Sequence, residues 1–158
     1  ERIPEFHEVL SLVDGRVPLL VELKIPGRDL SICPASYEVL KNYKGEYLVQ
    51  SFQTMGLRWY KKNAPEVLRG QLSSNLCKSD NKPHIFLRFA VQHLICNVFG
   101  RPDFISYRLK SLPNLNVTIM RKLFKVPMAV WTLRTNFQLR TGKRFYDLCI
   151  FERKGEYY

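Results

Sequence analysis

The sequence lacks both of the glycine-rich loops that commonly hold nucleotide phosphates. Its 158 residues contain no G-x-G-x-x-G and no G-x-x-x-x-G-K-[ST], which disfavours the folds that carry those fingerprints. Histidine is scarce, at 3 residues, and no Ser-His-Asp or Cys-His set can be assembled from the predicted strand ends. The sequence also has no secretory leader pattern and no apolar run long enough to cross a bilayer.

Cysteine is present but not in a pattern that binds metal. The four cysteines, Cys33, Cys77, Cys96 and Cys149, are widely scattered. They form no Cys-x-x-Cys and no larger Cys/His set of metal-ligand spacing. Reduced, buried thiols are therefore favoured over disulfides, which predicts a cytoplasmic protein.

Acidic residues are few compared with basic ones. Lys and Arg total 25 against 14 Asp and Glu, a formal net charge of +11. Any partner is therefore expected to be anionic, and phosphate esters, an acidic membrane face and nucleic acid all qualify. The aromatic residues lie in apolar runs instead of alternating with basic ones, and no RNA-binding signature is present. We therefore expect no nucleic-acid partner, whereas peripheral contact with a membrane stays open.

The stretch Val17–Lys24 is the first candidate for a site. It is apolar without alternation until its end, which predicts a strand buried on both faces. Glu22 and Lys24 are two positions apart, so their side chains share one face of that strand. Buried charges are costly unless they are paired, bound to metal or open to a cleft. The two residues are thus either ligands at the C-terminal end of a strand, where parallel α/β folds bind substrates, or a structural ion pair.

The rest of the chain alternates between predicted strands and helices. This order, with no hairpin signal, predicts an α/β fold with a parallel sheet that is either doubly wound or closed into a barrel. Six units of this length fit an incomplete (β/α)8 TIM-barrel-like domain over residues 1–158. The predicted strands are Val17–Lys24, Glu46–Phe52, Val67–Leu72, Phe104–Tyr107, Met128–Leu133 and Asp147–Glu152. The predicted helices are Pro4–Val13, Ser36–Tyr43, one with Thr54 as N-cap that ends at Ala64, His84–Phe99, Leu115–Leu123 and Phe137–Phe145.

The chemistry of the strand ends favours a hard cation and an anion. Glu22 is the right ligand type for a divalent cation, Mg²⁺ or Ca²⁺, although one carboxylate does not make a site and the other ligands must lie elsewhere. Lys24 suits a phosphate oxygen or an oxyanion. From the residues alone, Trp131 at a later strand end is interpreted as core and not as a substrate platform.

Several sequence blocks, taken together in order, carry a resemblance to a known enzyme family. They are Ile3-Pro4, Val9-Leu10, Leu19–Lys24, Tyr43–Phe52, Arg58-Trp59, Pro65-Glu66, Leu68–Leu72, Pro102–Ile105, Val130–Arg134 and Asp147–Glu152. From end to end they resemble the C-terminal portion of the glycerophosphodiester phosphodiesterases. The resemblance implies a (β/α)8 barrel that hydrolyses glycerophosphodiesters to glycerol 3-phosphate and an alcohol with the help of a divalent cation.

The chain also departs from that family's pattern. Its His-Arg-Gly, Glu-x-Asp and His-Asp motifs, which hold the acid/base histidines and two metal carboxylates, do not occur here. The resemblance therefore implies Glu22 as the third metal ligand and Lys24 as a phosphate contact, with Ser51, Phe52 and Trp131 lining the cleft. No catalytic acid or base can be assigned within this chain.

Two functional hypotheses follow. In the first, the chain is the C-terminal part of a phosphodiesterase, inactive on its own and prone to self-association because six strands cannot close an eight-stranded barrel. In the second, it is a non-catalytic barrel that binds anionic lipid or nucleic acid through its basic surface.

Overall fold

A computed structural model describes residues 2–74 and 100–152, in which strands and helices alternate. Numbered within those residues, the elements are α1 Phe6–Val13, β1 Leu19–Glu22, α2 Ile32–Leu40, β2 Tyr47–Ser51, α3 Thr54–Asn63, β3 Leu68–Ser73, β4 Phe104–Arg108, α4 Leu115–Lys122, β5 Met128–Leu133, α5 Asn136–Phe145 and β6 Leu148–Phe151. A short 3₁₀ turn, Leu109–Ser111, follows β4.

The six strands form one curled sheet in sequential order, and every neighbouring pair is parallel. Sequential order with a helix after most strands is the arrangement of a TIM barrel. The predicted incomplete barrel is therefore confirmed. Its two edges are β1 and β6, because the sheet is open at both sides of the described strands.

The convex face of the sheet is covered by helices and holds the core. One buried cluster joins the first three helices to β2, and its members are Leu10, Leu23, Cys33, Leu40, Val49, Tyr60, Ala64 and Val67. A second cluster, of Ile105, Tyr107, Val117 and Met128, packs α4 against β4 and β5. Burying each large apolar side chain contributes about 1.5–3 kcal/mol. These two clusters therefore attach the helices to one face of the sheet only.

Neither of the buried clusters formed by the described residues lies on the concave face. Leu20, Leu48 and Leu68 are register partners across β1, β2 and β3, so they lie in one row on the same face. Leu20 and Leu68 are exposed, as is Leu148 on β6. The prediction that the first strand is buried on both faces is wrong, because β1 alternates between half-buried and exposed residues. As an edge strand over an open concave face, it has neighbours on its convex side only.

The sequence patterns predicted the bounds of most helices and strands to within a few residues. Two of the differences have a clear physical reason. Helix α2 begins at Ile32, ahead of the predicted Ser36, because Pro34 lies in the first turn, where a proline costs no intrahelical hydrogen bond. Thr54 is the first residue of α3 and not its N-cap, a position that Gln53 occupies. The Thr54 hydroxyl instead donates to Gln71 Oε1 at 3.1 Å.

The predicted helix His84–Phe99 lies outside the described residues, as do Cys77, Cys96 and most of the predicted loop Ser73–Lys82. Among the residues that are described, no helix is both long enough and apolar enough to cross a membrane.

Gly70 is a packing constraint on the concave side. It is the register partner of Phe104 on β4, and a methyl group at Gly70 would lie 2.2 Å from Cζ of that buried ring. We expect Gly70→Ala to lower the free energy of unfolding by about 1–3 kcal/mol through overpacking, measured by urea denaturation. The same substitution in a Phe104→Leu background should cost less, since the ring atoms that clash are absent. An equal cost in both backgrounds would contradict the steric explanation.

Candidate functional site

Glu22 and Lys24 lie at the C-terminal end of β1, where the sequence placed them. Both residues are exposed. They form no ion pair with each other, and the described residues provide no ion-pair partner for either side chain. The alternative of a structural Glu22–Lys24 pair is therefore not what the structure contains. The desolvation argument for Glu22 does not apply either, because its edge strand leaves the carboxylate open to solvent.

Gln50 is the register partner of Glu22 on β2, so the two side chains share the concave face. Gln50 is buried, and its Oε1 accepts no hydrogen bond. The hydroxyl of Ser106, on β4, is also buried without a partner. A buried polar group without a partner costs about 1–3 kcal/mol, so a ligand or water that bonded these two oxygens would recover free energy.

Ser51 ends β2 but does not line the open cleft. Its side chain is 1% exposed. Its hydroxyl donates to the carbonyl of Leu23 at 2.7 Å and accepts from the amide of Gln53 at 3.1 Å. These bonds tie the end of β1 to the turn before α3, so Ser51 fixes the backbone on which Lys24 and Phe52 are carried.

Phe52 and Trp131 meet across the open end of the sheet. Phe52 follows β2 and Trp131 lies on β5, yet their ring centroids are 5.9 Å apart in an edge-to-face arrangement. The Trp131 indole N–H also donates to the carbonyl of Ser106 at 3.1 Å. The sheet is thus curled enough to bring residues from strands β2 and β5 into contact above β3 and β4. Both rings are partly accessible and border the cleft.

Gln71 is the residue that holds Phe52 in place. It is 2% exposed on β3, and its amide nitrogen lies within hydrogen-bond distance of the carbonyls of Ser51, Phe52 and Leu72. Its Oε1 accepts from Thr54. In the sequence, Gln71 is simply a polar residue near the end of the predicted strand Val67–Leu72. A buried amide can satisfy several strand-end carbonyls at once, and here it sets the path of the chain from β2 to α3.

Arg108 is a second cation at this end of the sheet that sequence reasoning missed. It ends β4 and is the register partner of Trp131. Tyr107, one residue earlier, packs into the convex core, so alternation directs Arg108 to the concave side. It is exposed, and no acid among residues 2–74 and 100–152 pairs with it. The available signal in the sequence was that Arg108, a charged residue, directly follows the predicted strand Phe104–Tyr107.

The donors present would hold only part of a divalent-cation site. The described residues contain no group of three or more His, Cys, Asp or Glu that could bind a metal. Glu22 offers an unpaired carboxylate, and the orphaned Gln50 oxygen lies in the same layer. Both are hard oxygen donors of the type that Mg²⁺ and Ca²⁺ prefer. Glu152, another predicted strand-end acid, forms a 2.7 Å ion pair with Arg134 and is already compensated.

The cysteines of the described segments do not suit nucleophilic chemistry. Cys33 and Cys149 are free thiols. Burial raises the pKa of Cys33 to about 11 and also raises the pKa of Cys149. Reactive cysteines have lowered pKa values, so these two side chains act as small apolar groups.

Comparison with known proteins gives a likeness in structure only. No protein-family model matches the chain, and no curated protein matches it either. Among solved structures, a protein of Silicibacter pomeroyi DSS-3 assigned to the glycerophosphoryl diester phosphodiesterases matches with a TM-score of 0.71 at 15% identity, over 98% of this chain and 54% of that one.

Two further structures give the same result. A phosphodiesterase of Oleispira antarctica, solved in complex with the product sn-glycerol-3-phosphate, matches with a TM-score of 0.68 at 21% identity, over 94% of this chain and 57% of its own. The glycerophosphodiester phosphodiesterase of Thermotoga maritima matches with a TM-score of 0.66 at 20% identity, over 95% and 60%. The chain thus has the fold of these proteins and spans little more than half their length.

The contacts of Ser51 lead to a stability prediction. Ser51→Ala removes the hydrogen bonds to the Leu23 carbonyl and the Gln53 amide, and we expect a loss of about 1–3 kcal/mol in the free energy of unfolding. The matched control is Ser11→Ala, since that serine is exposed and its hydroxyl donates only to the carbonyl of His7 within its own helix. Urea denaturation of both variants is the measurement. Equal effects of the two substitutions would contradict the role assigned to Ser51.

Proposed function

We propose that residues 1–158 are the C-terminal portion of a glycerophosphodiester phosphodiesterase domain, in a protein that hydrolyses glycerophosphodiesters to glycerol 3-phosphate and an alcohol. The observation that carries this proposal is the coincidence of fold and site. Glu22 and Lys24, the residues that the resemblance assigns to metal and phosphate, lie unpaired at the C-terminal strand ends. That edge is where TIM-barrel enzymes bind their substrates.

In this proposal each residue of the cleft has a separate task. Glu22 supplies a carboxylate oxygen to a divalent cation, Mg²⁺ or Ca²⁺, which when bound would polarise the phosphodiester and neutralise its charge. Lys24 holds a phosphate oxygen as a point charge. Phe52 and Trp131 border the cleft and exclude water from one side of the substrate. Ser51 and Gln71 position the strand ends.

The proton transfers require residues that this chain does not supply. Hydrolysis adds water across a P–O bond, so a base must take a proton from water and an acid must give one to the leaving alcohol. None of the motifs that hold the family's acid/base histidines occurs here. The proposal therefore assigns cation and phosphate binding to this chain and proton transfer to a segment beyond it.

The test is complementation of the chain with the segment that it lacks. Metal binding and the turnover of substrate are measured separately. The chain is joined to the first two βα units of one of the similar phosphodiesterases, and release of glycerol 3-phosphate from glycerophosphocholine is measured with Mg²⁺ or Ca²⁺. We expect Glu22→Gln to lower kcat by at least about 100-fold and to weaken Ca²⁺ binding in calorimetry. Lys24→Met should weaken substrate binding and leave Ca²⁺ binding largely intact.

The control variants repeat each charge change near the N-terminal end of β2, which is the end away from the proposed site. Glu46→Gln and Lys44→Met alter exposed residues just before that strand and should leave turnover unchanged. Wild-type turnover by Glu22→Gln would overturn its assignment. Loss of both Ca²⁺ and substrate binding in Lys24→Met would indicate that the two residues act as one structural unit.

The isolated chain is expected to associate with itself and to hydrolyse no glycerophosphodiester. The edges β1 and β6 present unpaired backbone groups, and Leu20 and Leu68 are exposed on the concave face. Leu20→Lys with Leu68→Lys should shift sedimentation-velocity profiles toward the monomer. Ile3→Lys with Leu12→Lys, at exposed positions outside the sheet, should not. A monodisperse, cooperatively melting wild-type monomer would contradict the open-barrel argument.

A further inference from the structure

The C-terminal end of α4 combines exposed apolar side chains with cations. Leu123 is 71% exposed and Phe124 is 63% exposed. Arg121 and Lys122 precede them and Lys125 follows, all three exposed. Cations at a helix C-terminus are stabilised by the helix dipole, so the charges alone need no ligand. The dipole does not explain why a leucine and a phenylalanine are left in water between them.

The end of α5 extends this surface. The Arg121 guanidinium lies 5.5 Å from the centre of the Tyr146 ring, which places the two helix ends side by side. Just before Tyr146, Phe145 is exposed and the Arg144 guanidinium lies 5.7 Å from its ring. With Lys143, these residues complete what we term the basic apolar patch: Arg121–Lys125 and Lys143–Phe145.

The charge of the patch is not compensated within the described structure. None of its five cations, Arg121, Lys122, Lys125, Lys143 and Arg144, forms an ion pair with an acid of residues 2–74 or 100–152. The nearby acid Asp147 is engaged with the backbone, since its Oδ2 accepts from the amide of Met128 at 2.8 Å. The patch therefore presents excess positive charge around three exposed apolar side chains.

We propose that the basic apolar patch is a docking surface for an anionic phospholipid bilayer. Cations that attract acidic headgroups, next to leucine and phenylalanine side chains that enter the headgroup–acyl boundary, are the combination that holds proteins at membrane surfaces. Nucleic acid would use the cations but has no use for the exposed leucine. The observations therefore favour lipid among the anionic partners that the net charge of +11 admits.

The docked orientation leaves the cleft accessible. In this fold the helices run antiparallel to the strands, so helix C-termini and strand C-termini lie at opposite ends of the barrel. A membrane bound at the end of α4 would face away from Glu22 and Lys24. If the proposed function holds, the substrate would reach the cleft from water and not from the bilayer beneath.

Vesicle flotation of the 158-residue chain tests the proposal, since aggregates sink while bound protein rises. We expect flotation with vesicles of 70% phosphatidylcholine and 30% phosphatidylserine, on the order of the acidic-lipid content that attracts basic segments, and none with phosphatidylcholine alone. Lys122→Glu with Lys125→Glu should lower partitioning at least about 25-fold, because each cation contributes about fivefold. Leu123→Ser with Phe124→Ser should lower it about tenfold or more at unchanged charge.

Matched controls separate the patch from net charge and from general stickiness. Arg28→Glu with Lys110→Glu makes the same charge change at the opposite end of the half-barrel, and Met55→Ser with Leu115→Ser removes two exposed apolar side chains there. Neither control should reduce flotation by more than a small part of the patch effect. Equal loss in the controls, absence of flotation with anionic vesicles, or binding to a single-stranded RNA 20-mer without vesicle binding would each overturn the proposal.

Discussion

The constraint on which the rest of the structure depends is that the helices of residues 2–74 and 100–152 pack on one face of the six-stranded sheet. The convex face holds both buried clusters, whereas the concave face holds exposed leucines and unpartnered polar groups. A complete barrel buries its inward-facing residues in layers contributed by strands all around. With six strands those layers are incomplete. Concave positions on the edge strands, such as Leu20 and Leu148, are exposed, whereas Phe104 and Ser106 on β4 stay buried. The exposure of Glu22 follows from this directly.

At the strand ends, where the ladder of backbone hydrogen bonds stops, polar side chains bond to backbone groups that the ladder leaves without a partner. Ser51 and Gln71 satisfy carbonyls that β1 and β2 leave unpaired, and an edge-to-face contact joins Phe52 to Trp131 across the opening. These bonds make the C-terminal end of the sheet a rigid platform even without the remaining strands. Precise placement of ligand-binding residues depends on such support. The described strands and turns therefore hold this platform together by themselves.

Local patterns were enough to predict the fold, because a parallel α/β sheet is specified by short buried runs in alternation with amphipathic helices. Strand Met128–Leu133 was predicted to the residue for this reason. The environment of Glu22 could not be predicted, since burial depends on neighbours that come from distant parts of a chain. For the same reason the contact between Phe52 and Trp131 and the position of Arg108 could not be predicted. Both depend on the curl of the sheet, which no single strand sequence determines. A polar strand-end residue such as Gln71 or Ser51 looks the same in sequence whether it lines a cleft or caps a backbone.

The distribution of charge separates the two ends of the half-barrel. At the strand C-termini, the exposed cations Lys24 and Arg108 belong to different strands, and Glu22 is an exposed acid on β1. At the C-termini of α4 and α5, the cations outnumber the free acids and surround exposed leucine and phenylalanine side chains. The helix dipole favours cations there whether or not a partner exists, but it has no influence on apolar exposure. The apolar residues, and not the charges, are therefore the observation on which the proposed membrane contact depends.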